Sequence, residues 1–324
     1  MSSLRGNAWA WFDQIVATSP LRAANPWVRE DDGGVRFEPD YDTLRLLLGV
    51  PALLQATSQS GVPALALDVW VSYELRRAGF DPDRVWPRPV APRVLPREVI
   101  DFVAALPARQ RAELTERISV RGTGGAPSAN ILGKNYVKQV DVVMSSWATG
   151  PELMISTKRM DSSFGKNAAN RVEESYGDAK NLRSRHPEAA LGFLYGLGAS
   201  ALDTEPETAR WLIDLLGKLG RESDAYDAVG LIIPHVPTPP DATSEEDPAG
   251  PLEAGATEGL VANPADGATE DDLDLGLLPA VTLHRGAVPG ELDPGRFFAK
   301  MCTLVLDRTP INFHREARAR RRSA

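Results

Sequence analysis

The stretch Val137–Lys158 reads VKQVDVVMSSWATGPELMISTK. Two apolar runs, Val137–Met144 and Glu152–Met160, have the length and composition of strands, and a short turn separates them. The first run carries one acid, Asp141, and the second leads to Ser156-Thr157-Lys158. Side chains two apart on a strand share a face, so Ser156 and Lys158 point together while Ile155 and Thr157 face the other way. Paired side by side, the two runs bring Asp141 and Lys158 to one edge of a sheet.

Downstream, a helix is predicted from about Lys166 to Arg183, in a basic, Asn-rich segment containing Glu173 and Glu174. His186–Leu197 is apolar with Gly and Ala, Ala209–Leu219 has helical periodicity, and Tyr226–Pro234 reads as a short buried strand. Upstream, residues 8–60 read as helical, and Asp68–Phe80 (DVWVSYELRRAGF) reads as an amphipathic helix stopped by Gly79. WPRPVAPRVLPRE must be extended or turning, because each proline disfavours helix before it. Glu98–Ile118 is predicted helical, with Ile100, Phe102, Val103 and Leu106 on one face. The glycine-rich segment at 121–130 reads as a loop without the spacing of a phosphate-binding P-loop.

From Pro237 to about Asp274 the chain is rich in Pro, Gly, Ala, Thr and acids, a composition that predicts disorder. Leu277–Leu306 is apolar again, with Phe297, Phe298 and Leu304–Leu306 expected to pack back on the core. The tail His314–Arg322 holds five arginines and is expected to be a frayed basic helix. These readings divide the chain into a helical N-terminal region (1–60), a core (61–236), an acidic linker (237–275) and a C-terminal segment with a basic tail (276–324).

Charge and cysteine usage narrow the class. Residues 241–274 hold eleven acids and no Lys or Arg, so the net −8 of the chain becomes +3 once they are set aside. A mildly basic body removes the electrostatic objection to binding phosphates. The single cysteine, Cys302, excludes an intrachain disulfide framework and fits a reducing cytoplasm. With four scattered histidines, a structural zinc site is not expected, so a bound metal would be held by carboxylates. No apolar run is long enough to cross a bilayer, and the N-terminus does not read as a secretory signal.

Cutting a phosphodiester needs a hydroxide, neutralisation of the pentavalent charge, and help for the leaving oxygen. Carboxylates holding Mg²⁺ meet most of these needs, and a nearby lysine can orient water and stabilise developing charge. Asp141 and Lys158 on adjacent strands would form such a pair. An Asp inside an apolar run is costly without a metal or a cation beside it. The polar segment after Lys158 suits phosphate contacts, with Arg159, Lys166, Asn170 and Arg171 as candidates for DNA binding.

At these residues the chain resembles the PD-(D/E)XK nuclease superfamily, over Val137–Tyr195. The resemblance implies an α/β fold, restriction-endonuclease-like, with a mixed central sheet flanked by helices and a helical N-terminal region. It implies Asp141 as the first acid and Lys158 as the lysine. Ser156 stands where the family has its middle acid, and the resemblance lets a glutamate of the following helix, Glu173 or Glu174, replace it as a metal ligand, with Ser156 supporting. Glu152 is a weaker substitute. Glu74, on the helix ahead of the strands, matches a glutamate the family often carries, and an ordinary helix glutamate paired with Arg76 or Arg77 is the equal alternative. The implied activity is Mg²⁺-dependent cleavage of double-stranded DNA in restriction or anti-phage defence, by a homodimer with a DNA methyltransferase or another defence component as partner. Ser156 keeps open a second reading, a nuclease fold without catalysis that binds DNA or assembles a defence complex.

Overall fold

The computed structural model describes residues 3–121, 129–162, 164–237 and 273–324. Its helices are α1 (Leu4–Thr18), α2 (Tyr41–Leu53), α3 (Val62–Arg77), α4 (Arg97–Ala104), α5 (Ala108–Arg121), α6 (Phe164–Arg183), α7 (Ser200–Thr204), α8 (Pro206–Leu219), α9 (Pro294–Arg308) and α10 (Arg315–Arg322). The strands are β1 (Trp27–Arg29), β2 (Val35–Phe37), β3 (Val85–Trp86), β4 (Ala129–Leu132), β5 (Val137–Val140), β6 (Val142–Ser146), β7 (Gly150–Met160), β8 (Ala190–Leu197), β9 (Ala228–Ile232), β10 (Pro234–His235) and β11 (Thr282–Leu283).

Five strands form the central sheet in the order β3-β6-β7-β8-β9. β6 pairs antiparallel with β7, Val142 opposite Ile155, whereas β7–β8 and β8–β9 are parallel. A parallel neighbour requires a crossover, and α6 and α8 supply the two crossovers. The sheet is therefore mixed, and the fold is α/β.

Alternation along each strand divides the core in two. Ile155, Leu194 and Ile232 face one side with α1, α2, α3 and α9, where Trp70, Phe297 and Phe298 are buried. Met154, Phe193, Tyr195 and Leu231 face the other side with α6 and α8, beside Val172 and Leu212. α3 is buried nearly all round, including Asp68, Ser72 and Glu74, and so differs from the amphipathic surface helix expected. It ends at Gly79, whose φ of +94° needs no Cβ; one built there would stand 2.8 Å from the backbone nitrogen of Ala317.

The structure corrects several local expectations. Residues 8–60 are not continuously helical: β1 and β2 form a hairpin around the Asp31–Gly34 turn, and Trp27 packs edge-on to Phe37. The helix expected over Glu98–Ile118 splits into α4 and α5 before Pro107, and Phe102 is exposed rather than on a core face. Val137–Met144 breaks into two strands at Asp141. The arginine tail is docked, not frayed: Arg318 donates to the carbonyls of Leu306 and Thr309, and Arg320 donates to that of Arg77. Phe297 and Phe298 pack into the core as expected. Residues 238–272, the bulk of the predicted acidic linker, and 122–128 of the glycine-rich loop lie outside the described residues.

Candidate active site

Asp141 occupies the break between β5 and β6, next to the middle of β7. The backbone N–H of Thr157 donates to Asp141 Oδ2 at 2.9 Å. On the other side of that residue the Thr157 hydroxyl donates to Asp68 Oδ1 from α3. One residue of β7 thus holds two carboxylates, one at its backbone and one at its side chain. Asp68 is 9% exposed and Asp141 half-buried.

Electrostatics tie these groups to Lys158. Burial pushes the Asp141 carboxyl up, and Lys158, the Thr157 N–H and Lys138 oppose the rise. Burial pushes Asp68 well above the usual carboxylate range; the Asp141 charge adds to this, while Thr157, Arg5 and Lys158 act against it. The Asp141 charge beside the buried Asp68 carboxyl favours a proton or a cation at this pair over two ionised acids standing together. Each uses one oxygen in its bond to Thr157, which leaves a second for another ligand.

The other predicted residues are distributed differently. Lys158 is half-buried, and Ser156, on the same strand face, is buried and hydrogen-bonds with Tyr226, whose hydroxyl also donates to the Ser175 carbonyl at 2.9 Å. Ser156 thus secures the α6 side of the sheet. Glu173 and Glu174 are exposed, and Glu174 stands 3.7 Å from Lys138. The acid of α6 that turns inward is Asp178, 2.5 Å from Lys138 and 3.0 Å from the Tyr136 hydroxyl; its charge raises Asp141. Glu152 lies at the far end of β7, 2.7 Å from His314 Nε2, as its position at the strand start suggested.

Glu74 is buried and pairs with Arg77 at 2.6 Å, accepting also the Asp40 N–H at 2.6 Å. Burial pushes its carboxyl up to about 7 against the pull of Arg77. The pairing matches the ordinary alternative, although the residue is buried rather than solvated. The α3 acid that reaches the strands is Asp68. Sequence reasoning placed Asp68 at the start of that helix segment without assigning it a role; a charged residue in so apolar a helix was the available signal.

Of the DNA-binding candidates, Asn170 is exposed, Arg171 is half-buried, and the Lys166 side chain lies outside the described residues. The Arg159 side chain is 5% exposed and meets Asp161 at 2.8 Å.

Among the described residues, no group of three or more His, Cys, Asp or Glu side chains stands together as a metal cage. Mg²⁺ is commonly held by one or two carboxylates plus substrate phosphate oxygens, and the Asp68–Asp141 pair fits that donor set. Two clefts of about 520 and 600 Å³ lie elsewhere, one beside the β1–β2 hairpin and one beside α10, and the chemistry-bearing cluster lines neither. No helix among the described residues is long and apolar enough to cross a membrane. Comparison with protein-family models, curated proteins and solved structures finds no match.

Proposed function

We propose that the chain is a Mg²⁺-dependent DNA endonuclease of restriction-endonuclease-like fold, acting in restriction or anti-phage defence. The observation that carries the reading is that Thr157 of β7 holds Asp141 at its backbone N–H and Asp68 at its hydroxyl, with the charge of Lys158, from the next position of the strand, acting on both acids. A mixed sheet with a helix before it and a crossover helix after β7 is compatible with the resemblance.

In this reading Asp141 and Asp68 hold the metal, in place of Glu173 or Glu174. Mg²⁺ held there would supply Lewis-acid stabilisation of the developing phosphoryl charge. The Thr157 N–H orients Asp141, and the Thr157 hydroxyl fixes Asp68. Lys158 contributes a positive charge in a half-buried setting, where it stabilises developing negative charge more than it would in water. Lys138, Asp178 and Tyr136 form a support beside Asp141.

A second reading, a nuclease fold that binds DNA or assembles a defence complex without cutting, is favoured by one observation. Ser156 occupies the middle-acid position and faces Tyr226, and neither Glu173 nor Glu174 is buried toward Asp141. Purified protein and its Asp141→Asn variant, incubated with DNA and Mg²⁺, separate the two: cutting abolished by the variant supports the enzyme, and DNA binding without cutting supports the alternative.

A further inference from the structure

Two guanidinium groups near this cluster carry buried nitrogens with no hydrogen-bond acceptor among the described residues: Arg159 Nη1 and Arg5 Nε. Such groups are rare in folded proteins, because an unpaired buried donor loses its hydration without compensation. The Arg159 side chain is 5% exposed, and its Nε is already bonded to Asp161. Arg5 comes from α1 and is half-buried.

Their positions converge on the N-terminal half of α3. Arg159 follows Thr157 by two residues on β7 and so shares its face, the face on which Thr157 meets Asp68. A Cβ on Gly196 of β8 would stand 3.5 Å from Arg159 Cγ and 3.2 Å from Leu67 Cδ1, so the arginine stem runs beside the residue preceding Asp68. Arg5 Nη1 is 3.9 Å from where a Cβ of Gly61 would stand, at the N-cap of α3. At that end of the helix the Val62 N–H is bonded to Ser60 Oγ and Pro63 carries no N–H, so the positive charge of the region comes from the two arginines.

We propose that Arg159 and Arg5 hold a phosphate group of the nucleic-acid strand, on the α3 side of the sheet beside Asp68 and Asp141. Guanidinium groups pair with phosphate through parallel charge-assisted bonds, which would satisfy the nitrogens that have no protein acceptor. The phosphate is either an internal one next to the bond being cut or a 5′-terminal monoester. The inference rests on the nucleic-acid reading of the site but not on cleavage.

The test measures binding of a fluorescent 20-base-pair DNA, with and without 5′-phosphates, in EDTA so that cutting plays no part. The proteins are wild type, Arg159→Met, which keeps the apolar stem, and Arg5→Gln. Each variant is expected to weaken binding by about tenfold or more, the scale of a lost charge-assisted bond. It should also flatten the salt dependence by about one phosphate contact. An equal loss on both DNAs assigns the internal phosphate, and a loss confined to the 5′-phosphorylated DNA assigns the terminal one. Folded variants that bind both DNAs as wild type does would overturn the proposal. If Arg159→Met does not fold, Arg5→Gln, on a half-exposed residue, decides alone. Arginine-dependent binding by a protein that cuts nothing would leave this proposal standing and overturn the hydrolase reading.

Discussion

Asp141 Oδ2 accepts the backbone N–H of Thr157 at 2.9 Å, so the carboxylate takes the place of a strand partner where β5 gives way to β6. The bond fixes one carboxylate oxygen and turns the break in the strand into a positioning device. Thr157 then reaches Asp68 through its hydroxyl, and the two acids become neighbours although they are 73 residues apart in sequence.

Asp68→Asn tests the pairing of these acids. Burial and Asp141 raise the Asp68 carboxyl in the folded state, so the stability it contributes is fully present below its ordinary value of 3.8 and is lost as pH rises through the folded value. The variant should therefore melt higher than wild type at pH 8 in EDTA. Mg²⁺ should raise the melting temperature of wild type and have little effect on Asp68→Asn, as measured by scanning calorimetry. Equal Mg²⁺ shifts in both proteins would remove Asp68 from the metal's ligands.

The buried pair of Glu152 and His314 gives the opposite pH dependence. Burial alone would raise the Glu152 carboxyl, but the close approach of His314, the hydrogen bond from Thr149 and the His314 charge outweigh it and bring it below 4.5. Its contribution is present above 4.5 and disappears as pH falls through the lower folded value. Glu152→Ala should cost about 1–3 kcal/mol, the range for leaving a buried partner unsatisfied, and should move the acid-unfolding midpoint upward. An unchanged midpoint would show that His314 is held by packing against Phe80 and Phe313 alone.

Gly133 leaves room for Asn181. A Cβ there would stand 2.1 Å from Asn181 Nδ2, and the same amide accepts the Asn135 N–H and donates to the Tyr136 carbonyl. Gly133→Ala should destabilise by about 1–3 kcal/mol, as overpacking does, and should speed hydrogen exchange at Asn135 and Tyr136. Wild-type protection at those amides would mean that Asn181 moves aside at little cost.

Glu74→Gln separates the helix glutamate from the chemistry. Because Glu74 pairs with Arg77 and with the Asp40 N–H, the variant should lose stability while any Mg²⁺-dependent cleavage keeps its rate per folded molecule. A rate lowered tenfold or more with the melting temperature unchanged would return Glu74 to the site.

Strand length and apolar character made β7 legible, and α6 and α8 declared themselves by periodicity and composition. Two-residue alternation also puts Thr157 on the face opposite Ser156. The β1–β2 hairpin escaped because each strand is three residues long, too short for a period to register. The docking of α10 was hidden because Arg318 and Arg320 bind backbone carbonyls, partners that carry no side-chain signal. Asp68 and Asp178 were missed for a related reason: each acquires its meaning from a strand distant in sequence, through Thr157 and Lys138. Glu173 and Glu174 had a suitable separation from Lys158, but the turn of α6 directs them outward and brings Asp178 inward.

The most direct test of the central claim is cleavage of plasmid and phage DNA, modified and unmodified, by purified protein with Mg²⁺, with EDTA, and as Lys158→Ala. The account predicts discrete Mg²⁺-dependent fragments that disappear in EDTA and in a folded Lys158→Ala variant. Fragments that persist in that variant, or no cutting of any DNA by the wild-type protein, would contradict it.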